Sequence, residues 1–161
     1  IKDKNFIKSM KSFSGLPHRY EIFSKLRNVT FINDSKATSF EAAKFALESC
    51  KNIYWILGGL PKHKDKFRLK QLKDNIVKSY IIGKNINFFK SQLRKNFVNY
   101  SISKNLKRSL LDISNDIKLF NRLNNVILLS PCAASFDQFD NFEDRGNEFK
   151  KLCRKYAKKF I

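Results

Sequence analysis

Short apolar runs that read as buried strands alternate along this chain with segments of helical period, and that alternation leaves few folds open. Two of the runs, Val29-Thr30-Phe31-Ile32 and Val126-Ile127-Leu128-Leu129, lead straight into loops of small and polar residues. The first loop is Asn33-Asp34-Ser35-Lys36-Ala37-Thr38, and the second is Ser130-Pro131-Cys132-Ala133-Ala134-Ser135-Phe136. A helical pattern follows each. Strand, crossover helix and parallel strand form a right-handed unit, and its repetition builds a mainly parallel sheet with helices on its faces. Ligands of such open sheets bind outside the carboxyl ends of the strands. Both polar loops fall there.

The remaining pattern fills in the frame. Strand-like runs at 19–24 and 29–33, with a polar turn at 25–28, predict a hairpin. Thr38-Ser39-Phe40-Glu41 has the form of a capping box with Thr38 as the cap. Phe40, Ala43, Leu47 and Cys50 then share one helix face. Further strands are expected at 53–57, ended by Gly58-Gly59, at 77–82, stopped by Gly83, and at 97–100 and 126–129. Helices are expected near 86–95 and 106–122, with a short one closing near Asn75. The last helix carries an apolar stripe, Phe149, Leu152, Cys153, Tyr156 and Phe160, bordered by basic residues. The expected fold is α/β: a Rossmann-like, mainly parallel sheet flanked by helices, with one antiparallel edge strand.

A chain of 161 residues with 42% hydrophobic content is long enough for one domain with a real core. Lys and Arg number 33 against 14 Asp and Glu, a formal charge of +19. A basic α/β module for nucleic acid is one reading of that excess. Such a module needs exposed aromatics interleaved with Lys or Arg on a sheet face, whereas most Phe here fall at core positions. The basic residues are scattered over nearly every segment, which favours solvated faces and makes nucleic acid an unlikely partner. The field still favours anionic ligands such as nucleotides. Cys50, Cys132 and Cys153 stand far apart, without metal-ligand spacing, and suggest a reduced, cytoplasmic setting. No apolar run is long enough to span a bilayer. The chain starts at Ile1 rather than Met, which suggests a piece of a longer protein.

The loops exclude several chemistries. The five glycines form neither a G-x-x-x-x-G-K-[ST] nor a G-x-G-x-x-G run, so no phosphate cradle is recognisable. Neither Ser35 nor Ser135 lies in a G-x-S-x-G elbow. His18 and His63 lack metal-ligand company and read as structural or solvated. Taken singly, Asp34 reads equally as a turn residue or as an acceptor for ribose hydroxyls. Lys36 and Lys62 read as exposed lysines or anion contacts, and Thr38 as a helix cap.

Taken together, these residues resemble a known family. The match runs through His18-Arg19, the loop Asn33 to Thr38, Gly58-Gly59 with Lys62, and Ser130 through Phe142 to Gly146. In order and spacing these resemble the carboxyl-terminal domain of the Mur ligases, in their D-glutamate-adding branch. The D-N-P-R motif of the diaminopimelate- or lysine-adding branch is absent, as are the H-H-P-T-E, N-A-N-P and D-G-A-H-N loops of other relatives. The resemblance covers about 15–161, with 1–14 left as a linker or helix end from a preceding domain.

The resemblance implies an ATP-dependent amide ligase of cytoplasmic peptidoglycan synthesis, acting in cell-wall biogenesis, cell shape and division. ATP would phosphorylate the carboxylate of UDP-N-acetylmuramoyl-L-alanine, and the amine of D-glutamate would attack the acyl phosphate. Arg19 would approach the ATP phosphates and Asp34 the ribose. Lys36, Thr38, Lys62, Ser135, Phe136 and Phe142 would line the D-glutamate pocket, with Lys36 and Lys62 serving the reaction itself. Amino-terminal and central domains of the same chain would bind UDP and hold the phosphate loop and the magnesium ligands. Two departures stand out. The family's Pro-Ala-Cys-Ala-Ser is here Pro131-Cys132-Ala133-Ala134-Ser135, and the loop after Gly59 offers Lys62, Lys64 and Lys66 for one role.

Overall fold

The computed structural model describes residues 15–161, so the linker or helix end expected at 1–14 lies outside the described residues. Strands β1 (Glu21–Leu26) and β2 (Val29–Asn33) form the expected hairpin. Leu26 faces Val29, which leaves a two-residue turn, and Arg27 takes the positive φ (49°) that such a turn requires. Helix α1 (Phe40–Ser49) leads to β3 (Ile53–Gly58), and a longer connection with a 3-10 turn at Lys73–Asn75 leads to β4 (Ile76–Ile82). Then come α2 (Ile86–Lys95), β5 (Tyr100–Lys104), α3 (Leu106–Phe120), β6 (Asn125–Leu129) and α4 (Phe142–Lys155), with a closing 3-10 turn at Ala157–Phe160.

The sheet runs β1-β2-β6-β3-β4-β5, antiparallel only between β1 and β2. This is the expected Rossmann-like α/β sheet with one antiparallel edge strand. Successive strand residues point to opposite faces, and two cores result. Ile32, Trp55, Leu57 and Leu128 pack with α1 and α2. Phe31, Tyr54, Ile56 and Leu129 pack with α3 and α4.

Two expectations shift. The helix expected to close near Asn75 survives only as the 3-10 turn. Ahead of it, the amides of Phe67 and Leu69 donate to side chains, Gln92 Oε1 and Asn96 Oδ1, both at 3.0 Å, so no helical ladder is needed there. The strand expected from Phe97 starts instead at Tyr100. Phe97 has φ 57°, Val98 N bonds Leu93 O and Phe97 N bonds Arg94 O, which together form a Schellman close to α2.

Candidate functional site

Strands β2 and β6 are neighbours, yet α1 leaves β2 over one face and α4 follows β6 over the other. Their loops part at the carboxyl edge, and a crevice opens where open α/β sheets take ligands. The loop after β3 joins it. Asp34 N donates to Leu129 O at 2.7 Å, Gly58 N to Pro131 O at 3.0 Å, and Leu60 and Ala134 exchange both backbone bonds at 2.8 and 2.9 Å. Gly59 is obligatory in that exchange: its φ is 137°, and a Cβ there would run into the Ala134 carbonyl oxygen.

Asp34 sits at the floor of the crevice, 7% exposed. Tyr20 N donates to Oδ1 at 3.0 Å and Ser130 Oγ to Oδ2 at 2.7 Å. Burial pushes its carboxyl above the usual range, against those two bonds and the charge of Arg19. A carboxylate accepts about four hydrogen bonds, so capacity remains for a ligand hydroxyl. Arg19, Tyr20, Asp34, Lys36, Ala37 and Phe45 border a cleft of about 290 Å³. Both cofactor candidates and Lys36 therefore share one wall. A larger cavity, about 820 Å³, lies between the start of α3 and α4 and holds none of the candidate site residues.

Of the other candidates only Phe142 is brought against Lys36, and none of Thr38, Lys62, Ser135, Phe136 and Phe142 lines that cleft. Lys36 Nζ lies 5.1 Å from the centroid of the Phe142 ring, which also meets His18 edge-on at 5.9 Å. Residues far apart in sequence thus meet at the head of α4. Phe136 is 68% exposed on the loop after β6. Ser135 is buried, and its Oγ has no hydrogen-bond partner among the described residues. An unsatisfied buried hydroxyl is costly, and Tyr54 Oη, Ser79 Oγ and Asn125 Oδ1 share that condition. Lys62 is exposed on the turn after β3. Thr38 is not the helix cap: Ser39 is, its Oγ accepting from Ala42 N at 3.2 Å. Glu41 consequently falls one position short of the capping-box site. Cys132 is fully buried, and burial pushes its thiol well up, so it is no nucleophile. His18 is buried and bonded as expected, accepting at Nδ1 from Asn33 Nδ2 at 2.9 Å, while His63 is exposed.

One residue that organises the site carried no role in the sequence reading. Arg145 of α4 is 1% exposed and reaches under both polar loops. Its Nε donates to Ser35 Oγ at 2.9 Å, one terminal nitrogen to Ser35 O at 2.7 Å, and the other to Ala133 O at 3.0 Å. Burial pushes its pKa down to about 10, opposed by the charge of Asp137, so it stays cationic at neutral pH. Ser35 Oγ passes the chain on to Phe142 O at 2.8 Å. The only available signal was an arginine one position before Gly146, and an arginine in a helix ordinarily reads as solvent-facing.

No family model matches the chain. Curated relatives do. The chain is 42% identical over 149 residues to the UDP-N-acetylmuramoylalanine–D-glutamate ligase of Agrobacterium fabrum, covering 92% of this chain and 32% of that protein. It is 41% identical over 161 residues to the ligase of the same name from a Wolbachia of Brugia malayi, 99% of this chain and 32% of that protein.

The chain belongs to the Mur ligase family.

A third relative, the ligase of the same name from Rickettsia conorii, is 37% identical over 95% of this chain. The chain spans about a third of the length of the curated relatives it matches. That is one domain's worth, as the resemblance to the carboxyl-terminal domain of a Mur ligase requires. Among the described residues, no three His, Cys, Asp or Glu side chains group as a metal site. No described helix is long and apolar enough to cross a membrane.

Proposed function

We propose that this chain is the carboxyl-terminal domain of a cytoplasmic, ATP-dependent ligase that adds D-glutamate to UDP-N-acetylmuramoyl-L-alanine. The observation that carries the proposal is the joining of the three strand-end loops by backbone bonds at the carboxyl edge of the sheet, with Arg19, Asp34 and Lys36 on one cleft and Lys36 over the Phe142 ring. D-Glutamate brings two carboxylates, which suit lysine ammonium groups, hydroxyls and backbone amides. Thr38, released from capping, and Ser135 supply hydroxyls, while Lys36 and Lys62 supply charge. Phe136 and Phe142 wall the pocket. Arg19 meets the phosphates of ATP, and Asp34, with acceptor capacity to spare, takes the ribose hydroxyls.

The donor set fits a nucleotide. Bound ATP supplies the phosphoryl group that activates the acceptor carboxylate. The cations of this chain then stand where negative charge gathers in the transition state, the largest source of catalysis in most enzymes. By the resemblance, magnesium would be held by other domains of the ligase. The nucleic-acid reading loses its platform, since helices cover both faces of the sheet.

The test is kinetic, in the complete ligase. Lys62→Ala should raise the KM for D-glutamate by about tenfold to a hundredfold, the equivalent of about 1.5–3 kcal/mol for one charge-assisted bond. The KM for ATP should hardly move. Thr38→Asp should fold and use D-glutamate badly, because its charge opposes a dicarboxylate, while Thr38→Ser should retain use. Equal effects of Lys62→Ala on both substrates would reassign the role to Lys64 or Lys66.

A further inference from the structure

Asp65 is the only acid in the run Leu60-Pro61-Lys62-His63-Lys64-Asp65-Lys66, among three lysines. An acid at the rim of an anion site works against binding unless its charge is committed elsewhere. Here one of its oxygens is engaged by a backbone amide. Asp65 Oδ2 accepts from the amide of Phe40 at 2.9 Å, and Phe40 is the first residue of α1. Asp65 N closes a turn onto Lys62 O at 3.1 Å, with Lys64 at φ 62° inside it. Phe67 then stacks on Phe40, centroids 5.1 Å apart and planes at 20°. One carboxylate thus fastens the lysine turn to the start of α1, two residues beyond Thr38.

The same bond changes what the helix end can offer. Ser39 Oγ holds the amide of Ala42 and Asp65 holds that of Phe40, so two of the amides an anion could have used are already taken. A substrate carboxylate arriving here finds fewer free amides and depends more on the lysines. We propose that Asp65 is a positioning residue: by holding the Lys62 turn on the Phe40 amide, it fixes that turn against the start of α1, two residues from Thr38, so that Lys62 and Thr38 can serve one dicarboxylate substrate. This rests on the D-glutamate pocket proposed above.

Two measurements test it. In this 161-residue chain, Asp65→Ala should speed hydrogen exchange at the Phe40 amide more than tenfold. Asp65→Asn keeps an acceptor oxygen and should stay near the parent rate. In the complete ligase, Asp65→Ala should raise the D-glutamate KM fivefold or more and leave the ATP KM within twofold, while Asp65→Asn should restore the parent value within twofold. A general loss of structure would instead move both KM values together. Unchanged exchange at Phe40, or an Asp65→Asn variant as impaired as Asp65→Ala, overturns the proposal. Lys62→Ala measured alongside separates the two readings. If it leaves the D-glutamate KM unchanged, the function proposed for the turn has failed. If it raises that KM while Asp65→Ala does not, the positioning role has failed.

Discussion

His18 illustrates how a single ionisable group ties the edge of the site to pH. Burial first, and then the charge of Lys150, pushes its imidazole below the ordinary 6.5, against the charges of Glu21 and Glu143. The folded chain therefore refuses a proton that the unfolded chain accepts, and stability is lost as pH falls below about 6.5. Glu21 adds to this lower down. Burial raises its carboxyl, but bonds from Lys150, the His18 amide and Asn33 outweigh burial and leave it lowered. Its contribution is present above the unfolded value of 4.5 and is lost as pH falls through the lower folded one. The urea midpoint of this chain should be flat above neutrality and should drop between pH 6.5 and 5. His18→Asn, which offers an acceptor without a titrating ring, should flatten that interval. A slope that persists in His18→Asn would move the linkage to another group. The sequence singled out Asp34 and Lys36 because an Asp and a Lys stand in a strand-end loop, and the structure places both on one cleft with Arg19. Arg145 was not legible, because its importance comes from burial, and burial is settled by how close α4 lies to the two loops.

At the scale of elements, that closeness depends on Gly146. A glycine inside a helix normally costs about 0.5–1 kcal/mol relative to alanine, so propensity alone favours Gly146→Ala. Packing opposes it: a Cβ would strike His18 Nδ1, with His18 Cε1 and Asn33 Oδ1 close behind. Overpacking a filled site typically costs about 1–3 kcal/mol, and His18 is buried and tied to Asn33. Gly146→Ala should therefore lower the midpoint of thermal unfolding and weaken the pH dependence assigned to His18. An increase in that midpoint would show that α4 can shift without loss. Elements whose hydrophobic period is clean, such as β3, α2 and α4, were readable from sequence to within a few residues. The segment 67–72 was not, because its backbone is satisfied by Gln92 and Asn96 from another helix. The cap of α1 slipped by one residue because Thr38 and Ser39 are both good caps, and local sequence does not choose between them.

For the molecule as a whole, the domain has two filled cores and a closed set of strand connections, so the described part should fold cooperatively without further domains. It should not ligate. The chain has no phosphate-cradling loop, and holding ATP, acid and amine together is worth several kcal/mol that half a site cannot supply. With ATP, UDP-N-acetylmuramoyl-L-alanine and D-glutamate supplied, phosphate release should not rise above that of a Lys36→Ala control. Turnover above that control would end the multi-domain reading. The strand order has a separate consequence during synthesis. Of the described strands β6 is the last to be made, yet it lies in the middle of the sheet, between β2 and β3. The bond from Ser130 to Asp34 closes across 96 residues. Until β6 leaves the ribosome, the nascent chain has one hairpin and one three-stranded sheet, each showing the inner edge that β6 will occupy. Open edges of that kind recruit strands from other chains. This domain therefore passes through its most aggregation-prone state just before completion, and the crevice comes into being only with the insertion that ends it.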